Sequence, residues 1–367
     1  MTTTIETIRE FAAYDIEPMI EKIELSGTVP DTLIEKAADL GLFGLSIPQE
    51  YGGQQLSLTD KCRWEEVLGG AHFGFATVLG NHNGVGTAGL VELGTDKQKA
   101  TYLPAMARGD LRGAFCLTEP EAGSDAGAVQ TTAVRRSGGY VIDGSKTLIT
   151  QATVAGLFTV TARTESGLST FIVERENPGL RVDEPTPILG MRGSTVAPVH
   201  FQDCFVPESA LLGAEGKGLK QALNSLNRGR TSMTARVFGL GLRALEDATN
   251  YANHRHQFGR ALIDNQGLAW RLADLKTQME AGRHLLYAAA RSIDALDYRN
   301  EDVAMAKYFV TETVGKVTDQ VVQIFGGLGY TTLAPAERYL RDARVTRIYE
   351  GSTEIQLEII ARTLRKP

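Results

Sequence analysis

Cysteine, proline and long apolar runs are all scarce in this 367-residue chain. Its three scattered cysteines, Cys62, Cys116 and Cys204, argue against a disulfide framework. Twelve prolines exclude a proline-rich disordered chain, and no apolar run approaches the roughly 18 residues of a membrane span. His254 and His256 would not share a helix face, and no other His/Cys cluster has metal-ligand spacing. We therefore expect a protein of a reducing compartment, the cytoplasm, without a membrane anchor or a resident metal.

Charge of one sign is also not in large excess. The chain carries 38 Lys and Arg against 44 Asp and Glu, for a net charge of −6, and no long block of like charge occurs. This excludes the electrostatic footprint of a nucleic-acid or anionic-membrane binder. Glycine, in contrast, is abundant: 39 residues exceed the usual share of about 7%. Many backbone positions in this protein must therefore lack a side chain.

Hydrophobic periodicity divides the chain into three parts. Residues 1–112 show helical spacing, and residues 217–367 show long amphipathic helical patterns with short connections, which is typical of an antiparallel bundle. Between them, residues 113–216 contain short apolar runs separated by turn-forming residues, which predicts an antiparallel β-barrel or sandwich. The predicted architecture is mainly α, with a central β domain between an N-terminal helical domain and a C-terminal four-helix bundle.

Four segments carry residues suited to chemistry, and each has an ordinary alternative. Residues 118–127 form a turn-rich loop that could cradle an anion or a heterocycle, or be a plain connector. Residues 255–260 place two arginines around a Phe-Gly turn, as a phosphate clamp or a solvated helix end. Residues 323–330 hold more glycines than a helix C-cap needs, which suggests a close approach of backbone or ligand. Glu350 precedes a helix start, where a carboxylate is usually a dipole partner.

Together these segments resemble the acyl-CoA dehydrogenase family, in the family's order and over nearly the whole chain. The matching segments are residues 115–125, 189–194, 255–260, 323–329 and 348–356. The resemblance implies that FAD lies between the β domain and the bundle. The residues that it places around the flavin are Phe115, Leu117, Thr118, Ser124, Leu148, Thr150, Ser352 and Glu354. It places Arg255, Phe258, Gln323 and Gly327 at the pyrophosphate and adenosine end, reached across a subunit interface, so a homodimer or homotetramer is expected.

The reaction that the resemblance implies is α,β-dehydrogenation of an acyl thioester, acyl-CoA to trans-2-enoyl-CoA. Glu350 matches the family's base, which takes the α-proton while a hydride passes from the β-carbon to flavin N5. Some relatives carry the base at the position of Gly229, where glycine cannot serve. The Glu350 backbone N–H and a flavin ribityl hydroxyl would bind the thioester carbonyl. The residues expected to contact substrate are Ser124, Asn227, Arg230, Tyr349 and Gly351.

Three departures from the family pattern leave alternatives open. Leu148 replaces a common aromatic residue beside the flavin, and Asn227 replaces a usual aspartate. The segment 162–169, which lies toward the thioester carrier, is shorter than in relatives, so coenzyme A and an acyl carrier protein both remain candidates. The expected electron acceptor is an electron-transferring flavoprotein; an oxygen-using oxidase is the alternative, and a flavin-free scaffold would require a degraded pocket.

Overall fold

The computed structural model describes residues 3–365, with the side chains of all but residues 220–225. The first seven helices are α1 Ile5–Phe11, α2 Ile20–Ser26, α3 Asp31–Asp39, α4 Leu58–Ala71, α5 Phe73–Asn81, α6 Thr87–Leu93 and α7 Asp96–Arg108. The strands of the main sheet are β1 Gly113–Cys116, β2 Thr132–Arg136, β3 Gly139–Thr150, β4 Leu157–Thr164, β5 Gly167–Glu174, β6 Leu180–Val182, β7 Val196–Pro207 and β8 Leu211–Leu212. The remaining elements are α8 Gly218–His254, β9 His256–Gln257, β10 Arg260–Ala261, α9 Gln266–Asp294, α10 Asn300–Phe325, α11 Ala336–Arg344 and α12 Thr353–Leu364.

The N-terminal part is helical, as its periodicity predicts, but one break is not visible in the pattern. The apolar spacing from Cys62 to Leu79 reads as one helix, whereas α4 and α5 meet at His72. The backbone of His72 is extended, and its Nδ1 accepts a hydrogen bond from the backbone N–H of Phe75 at 3.1 Å. A histidine ring thus caps α5 as an N-cap side chain does.

The central part is one sheet of eight strands in the order β6-β7-β3-β2-β4-β5-β8, with β1 paired to β4. Most pairings are antiparallel, as predicted, but β1 and β2 both lie parallel to β4. The short β2, β6 and β8 were not visible as apolar runs. Strands β4 and β5 form a hairpin whose connection is only Glu165 and Ser166, so the predicted short loop at residues 162–169 is a tight turn.

The C-terminal part is built around α10, which packs against α8, α9, α11 and α12. Its core is aliphatic, with Met279 and Leu286 of α9 and Val310 and Val314 of α10 buried in one cluster. Lys307 is also buried on α10. The apolar face of α10 therefore contains a charged residue, and that residue reaches the site described below.

Helix α8 also packs closely on α4 of the N-terminal part, and glycines permit the approach. A Cβ on Gly239 would lie 1.9 Å from the carbonyl oxygen of Glu66, and one on Gly69 would lie 2.1 Å from that of Arg236. We expect Gly239→Ala to lower the free energy of unfolding by about 3 kcal/mol, because the two backbones must separate. Chemical denaturation measures this change.

The matched control is Gly267→Ala in the first turn of α9. A Cβ on Gly267 meets no atom within 4 Å, so the change should be neutral or stabilise by a few tenths of a kcal/mol. Equal destabilisation by the two alanines would contradict the close packing of α4 and α8.

Candidate active site

Two adjoining cavities meet at the segment Tyr349–Gly351, just before α12. One has a volume of about 500 Å³ and lies between the β domain and the bundle. The other, of about 220 Å³, extends inward between α5 and α8. The residues that line both are Thr118, Gly123, Ser124, Leu148, Thr150, Tyr349, Glu350 and Gly351. Glu350 therefore stands at the junction, between a larger compartment and a smaller one.

The carboxylate of Glu350 points at α8 and has a free oxygen. Its Oε2 is buried and has no hydrogen-bond partner among the described residues. A Cβ on Gly229 would lie 3.5 Å from that oxygen. Since buried polar atoms are nearly always paired, an unpaired carboxylate oxygen at a cavity wall makes Glu350 a candidate functional residue. The side chain is poised to accept a proton from a molecule in the cavity.

The backbone that carries Glu350 is strained, and buried side chains hold it. Glu350 has a φ of 53°, in the left-handed region that non-glycine residues rarely adopt. Nε of Arg230 donates to the Glu350 carbonyl at 2.7 Å, and Nζ of Lys307 donates to the Tyr349 carbonyl at 2.7 Å and to that of Gly351. Three consecutive carbonyls are thus fixed by two buried cations. The side chain of Gln356 adds a bond to the Gly351 carbonyl at 2.9 Å.

Burial and charge act in opposite directions on this carboxylate. Burial raises the pKa of Glu350 above its usual value, while the nearby charges of Lys307, Arg236, Arg230 and Lys61 oppose that rise. Burial also lowers the pKa of Lys307 to about 8, against the attraction of Glu350. A raised carboxyl pKa makes Glu350 a stronger base than an exposed glutamate, as proton abstraction from carbon requires.

The larger cavity has the size and lining of a planar-ligand site. Its volume lies within the range of about 300–1,000 Å³ found for cofactor and ligand pockets. Apolar side chains of Ile188, Leu189 and Val196 form part of its wall, and the hydroxyls of Thr118 and Ser352 lie on it. A Cβ on Gly123 would meet nothing within 4 Å, so backbone is open to a ligand there. These features fit a flavin ring.

The predicted flavin neighbours are distributed over both cavities. Thr118, Ser124, Leu148 and Thr150 line both, Ser352 lines the larger, and Phe115 and Leu117 line the smaller. Leu148 is 56% exposed and has a φ of 55°, so strained backbone presents an uncovered aliphatic side chain to the cavity. Glu354 lines neither cavity. Hydrogen bonds from Ser352 and a backbone N–H at the start of α12 lower its pKa.

A buried ion pair supports the loop that contains Thr118. Nζ of Lys146 lies 2.7 Å from Oε1 of Glu119, and it also donates to the Leu117 carbonyl at 3.2 Å. The Glu119 carboxylate accepts from the backbone N–H groups of Gln130 and Thr131, at 2.6 and 3.0 Å. Both charges are paired, which a buried ion pair needs to persist. The ordinary reading of this loop, a plain connector, does not explain such support.

The four residues predicted for the adenosine end lie elsewhere. Arg255, Phe258, Gln323 and Gly327 are all exposed, and none lines either cavity. Phe258 is 99% exposed with a φ of 55°. The rings of Tyr251 and Phe325 stack with centroids 4.3 Å apart, which joins the ends of α8 and α10 that carry these residues. Within one chain, the residues predicted around the flavin ring therefore lie at the two cavities, except for Glu354. The four residues predicted for the adenosine end lie on an outer surface.

The remaining predicted substrate residues differ in placement. Arg230 lines the smaller cavity, whereas Asn227 lines neither. The Asn227 amide is buried behind Arg230: its oxygen accepts from Nη1 of Arg230 at 3.2 Å, and its nitrogen donates to Asn300 at 2.9 Å. Asn227 thus orients the arginine in this structure.

Three buried cations of the site were not anticipated from the sequence. These are Lys61 on α4, Arg236 on α8 and Lys307 on α10. Lys307 follows Val303 and Ala304 and precedes Val310, so it falls on the apolar stripe of its helix. A lysine at a stripe position is a signal that could have identified it.

No group of three or more metal-ligating His, Cys, Asp or Glu side chains is present among the described residues. Within the same part of the chain, no helix combines the length and the hydropathy that a membrane crossing requires.

Sequence profiles of one family match all three parts of the chain. The acyl-CoA dehydrogenase N-terminal domain matches residues 2–110, the middle domain residues 114–204 and the C-terminal domain residues 216–365.

Individual relatives agree with this match. An acyl-CoA dehydrogenase of Bacillus subtilis (strain 168) is 40% identical over 362 residues, covering 97% of this chain and 96% of the relative. The acryloyl-CoA reductase (NADH) of Anaerotignum propionicum is 38% identical and covers 98% of this chain and 92% of its own. The solved structure of butyryl-CoA dehydrogenase from Megasphaera elsdenii superposes with a TM-score of 0.95 at 33% identity, covering 98% of this chain and 96% of that one.

Proposed function

The chain belongs to the acyl-CoA dehydrogenase family of oxidoreductases that act on CH–CH bonds, and we propose that it dehydrogenates a short acyl-CoA at the α and β carbons. The observation that carries the proposal is the position of Glu350. Its unpaired Oε2 stands at the junction of a cavity that fits a flavin ring and a smaller inner cavity. The acyl chain occupies the inner cavity, whose volume of about 220 Å³ suits a short chain.

The residues at the junction of the two cavities have different roles in this proposal. Glu350 takes the α-proton at Oε2, and the cations at Arg230, Lys307 and Arg236 stabilise the negative charge of the site. The backbone N–H of Glu350 donates to no described residue, so it is free to bind the thioester carbonyl. Thr118, Ser124, Thr150 and Ser352 would hold FAD through their hydroxyls, and the bound cofactor would supply the acceptor for the hydride of the β-carbon.

A second copy of the chain completes the cofactor site in this proposal. The exposed set Arg255, Phe258, Gln323 and Gly327 lies off the cavity of its own chain. A partner's copy of that set would hold the pyrophosphate and adenosine of FAD, through arginine pairing and glycine backbone. The working form is therefore a homodimer or a larger assembly, with an electron-transferring flavoprotein as the acceptor.

Reduction of a 2-enoyl thioester is a second candidate for the same site. The similarity to the acryloyl-CoA reductase favours it, because Glu350 would return a proton to the α-carbon in the reverse direction. The ratio of the two rates, measured with a short acyl-CoA and with its 2-enoyl product, decides the working direction.

The proposal is tested by mixing the purified flavoprotein with butanoyl-CoA in the absence of oxygen. The expected result is loss of the flavin absorbance near 450 nm and formation of the 2-enoyl product. The same experiment with butanoyl acyl carrier protein tests the carrier, and peroxide formed at the turnover rate in air would identify an oxidase. A yellow protein that no acyl thioester bleaches would contradict the proposal.

The rate of bleaching should depend on pH through Glu350. Burial raises the pKa of this carboxyl above 4.5, and only the deprotonated form accepts a proton. The rate should therefore rise with pH through a midpoint above 4.5 and level off beyond it. Stopped-flow measurements across this range, with retained flavin absorbance as the control for cofactor loss, give the profile. A rate that stays constant down to pH 4.5 would contradict the assignment.

Moving the base to α8 should preserve part of the activity. A carboxylate at position 229 can reach the place of the lost one, because the Gly229 Cβ would lie 3.5 Å from Oε2 of Glu350. We expect Glu350→Gly to be inactive and the double variant Glu350→Gly, Gly229→Glu to recover at least about 10-fold, since a positioned base contributes about 10²- to 10⁴-fold. An unrelated Glu at Gly267 is the control. Absence of any recovery, with flavin bound, would count against this geometry.

A further inference from the structure

The inner cavity ends on a buried guanidinium. Arg236 of α8 lines this cavity together with Thr77 and Asn81 of α5. It stands seven residues beyond Gly229, the residue that faces Glu350, and at 1.5 Å per residue this is about 10 Å further along the helix. In the proposed site, Glu350 would contact the acyl chain close to the thioester, and Arg236 would contact the opposite end of the chain.

This guanidinium has only part of its hydrogen bonding satisfied. Nε of Arg236 lies 2.8 Å from Oε2 of Glu65, and both side chains are at least 96% buried. Neither Nη atom donates to any described residue. The fork formed by the two Nη groups is the part of arginine that binds carboxylate or carbonyl oxygens with two parallel bonds.

A second unpaired donor lies close to the first. The hydroxyl of Tyr349 is buried without a partner among the described residues, and Tyr349 lines the same cavity. The charge of Arg236 is the largest electrostatic influence on that phenol, although burial keeps its pKa well above the usual value. The phenol therefore stays protonated as a donor. Arg236 and Tyr349 thus offer unpaired donors at the inner cavity. Two unpaired acceptors also lie near them, Oε1 of Glu65 and Oε2 of Glu350, and neither bonds these donors in this structure.

The packing around Arg236 preserves room for the guanidinium. A Cβ on Gly80 of α5 would lie 1.5 Å from Nη2 of Arg236. Glycine at position 80 is therefore required for the observed placement of the side chain. A plain aliphatic chain against this surface would desolvate the free N–H groups without replacing their hydrogen bonds, which is unfavourable for each buried donor.

We propose that Arg236, with Tyr349, recognises an acyl chain that bears a hydrogen-bond-accepting oxygen at its far end, as a carboxylate or a carbonyl. The inference rests on the proposed dehydrogenase function, because it names the substrate class of the same site. Cations outnumber anions around the cavity, with Lys61, Arg230, Arg236 and Lys307 against Glu65, Glu350 and Asp342. The excess positive charge would therefore balance a carboxylate at the far end of the acyl chain. A site built to hydrogen-bond an oxygen discriminates strongly against the analogue that lacks it.

The test compares three CoA thioesters of equal chain length: pentanoyl, 4-oxopentanoyl and 4-carboxybutanoyl. Thioether analogues, which lack the acidic α-proton, give dissociation constants by calorimetry, and anaerobic bleaching gives kcat/KM. In the unmodified flavoprotein, we expect at least one oxygenated chain to exceed pentanoyl by tenfold or more in both measurements.

Two variants connect the preference to Arg236. The double variant Arg236→Met, Glu65→Gln removes both charges of the ion pair together and leaves the net charge of the site unchanged. Gly80→Ala keeps the charge and displaces the guanidinium. Because Arg236 also acts on the charge of Glu350, the preference is measured as the ratio of kcat/KM for each oxygenated chain to kcat/KM for pentanoyl-CoA in the same variant. That ratio should fall to about one in both variants.

The outcomes separate this inference from the proposed function. Bleaching by pentanoyl-CoA at an equal or higher kcat/KM than both oxygenated chains would overturn the inference and leave the dehydrogenase standing, with the Arg236–Glu65 pair only closing the cavity. A preference that survives in both variants would overturn it as well. Failure of every acyl thioester, short or long, to bleach the flavin would remove the proposed function itself.

Discussion

Glu350→Gln should lower the rate of flavin bleaching by an acyl thioester by about 10³- to 10⁴-fold, the upper part of the range for general base catalysis. Glutamine keeps the shape of the side chain and cannot accept the proton. The carbonyl of residue 350 remains available to Arg230, whose Nε bonds the backbone and not the carboxylate. The loop and the cofactor cavity should therefore persist, and stopped-flow absorbance measures the rate.

The control for Glu350→Gln is Glu358→Gln, on the final helix α12 that follows Glu350. Glu358 pairs with Arg362 and Arg365 at the surface, where an ion pair contributes about 0–1 kcal/mol. This control should bleach at the unmodified rate. A Glu350→Gln variant that holds flavin and bleaches as fast as the control would eliminate Glu350 as the base.

Lys307→Met should impair both the fold and the catalytic step. It leaves the Tyr349 carbonyl without its buried donor, whereas the Gly351 carbonyl keeps its bond from Gln356. An unsatisfied buried group costs about 1–3 kcal/mol, and the burial cost of the Lys307 charge, which is removed, offsets part of this, so we expect the free energy of unfolding to fall by about 1–2 kcal/mol. Bleaching should slow by about 10²-fold, because a misplaced base loses its near-attack geometry. Denaturation and stopped-flow absorbance measure the two effects.

A shift in the pH profile distinguishes positioning by Lys307 from a merely structural role. The charge of Lys307 is the largest influence that lowers the pKa of Glu350. Its removal should therefore move the midpoint of the pH–rate profile to higher pH. The matched control is Lys316→Met, an exposed residue of the same helix, which should change stability by less than about 0.5 kcal/mol. An unchanged midpoint in Lys307→Met would show that Lys307 does not act on the base.

Local patterns were sufficient for the long elements, but not for the short strands β2, β6 and β8 or for every helix boundary. The apolar spacing after Ser352 predicts a final helix from about residue 353 to residue 364, and α12 spans Thr353–Leu364, because Ser352 is a side-chain N-cap that sequence alone can suggest. The break at His72 depends on a histidine ring that folds back onto Phe75. Histidine is not a usual N-cap residue, so the periodicity of the sequence predicts one continuous helix across His72.

The proposed catalytic carboxylate could be predicted from the sequence, and its surroundings could not. Glu350 lies in residues 348–356, a segment that resembles the family's signature around the base. The buried cations that surround the carboxylate come from three helices that are distant in the sequence. Arg236 lies among apolar residues on α8, and Lys61 lies on α4 with its Nζ bonded to the Asn83 carbonyl at 2.6 Å. Only the packing of α4, α8 and α10 determines which cations face the carboxylate. No local spacing encodes that arrangement.

The central claim is that Glu350 removes the α-proton of a bound acyl thioester. Proton exchange tests this directly, with the 3-thia analogue of an acyl-CoA, whose β position holds sulfur and cannot release a hydride. In D₂O, the flavoprotein should exchange the α-hydrogens of this analogue, while Glu350→Gln should exchange them at the background rate. Exchange by Glu350→Gln as fast as by the unmodified protein would contradict the account.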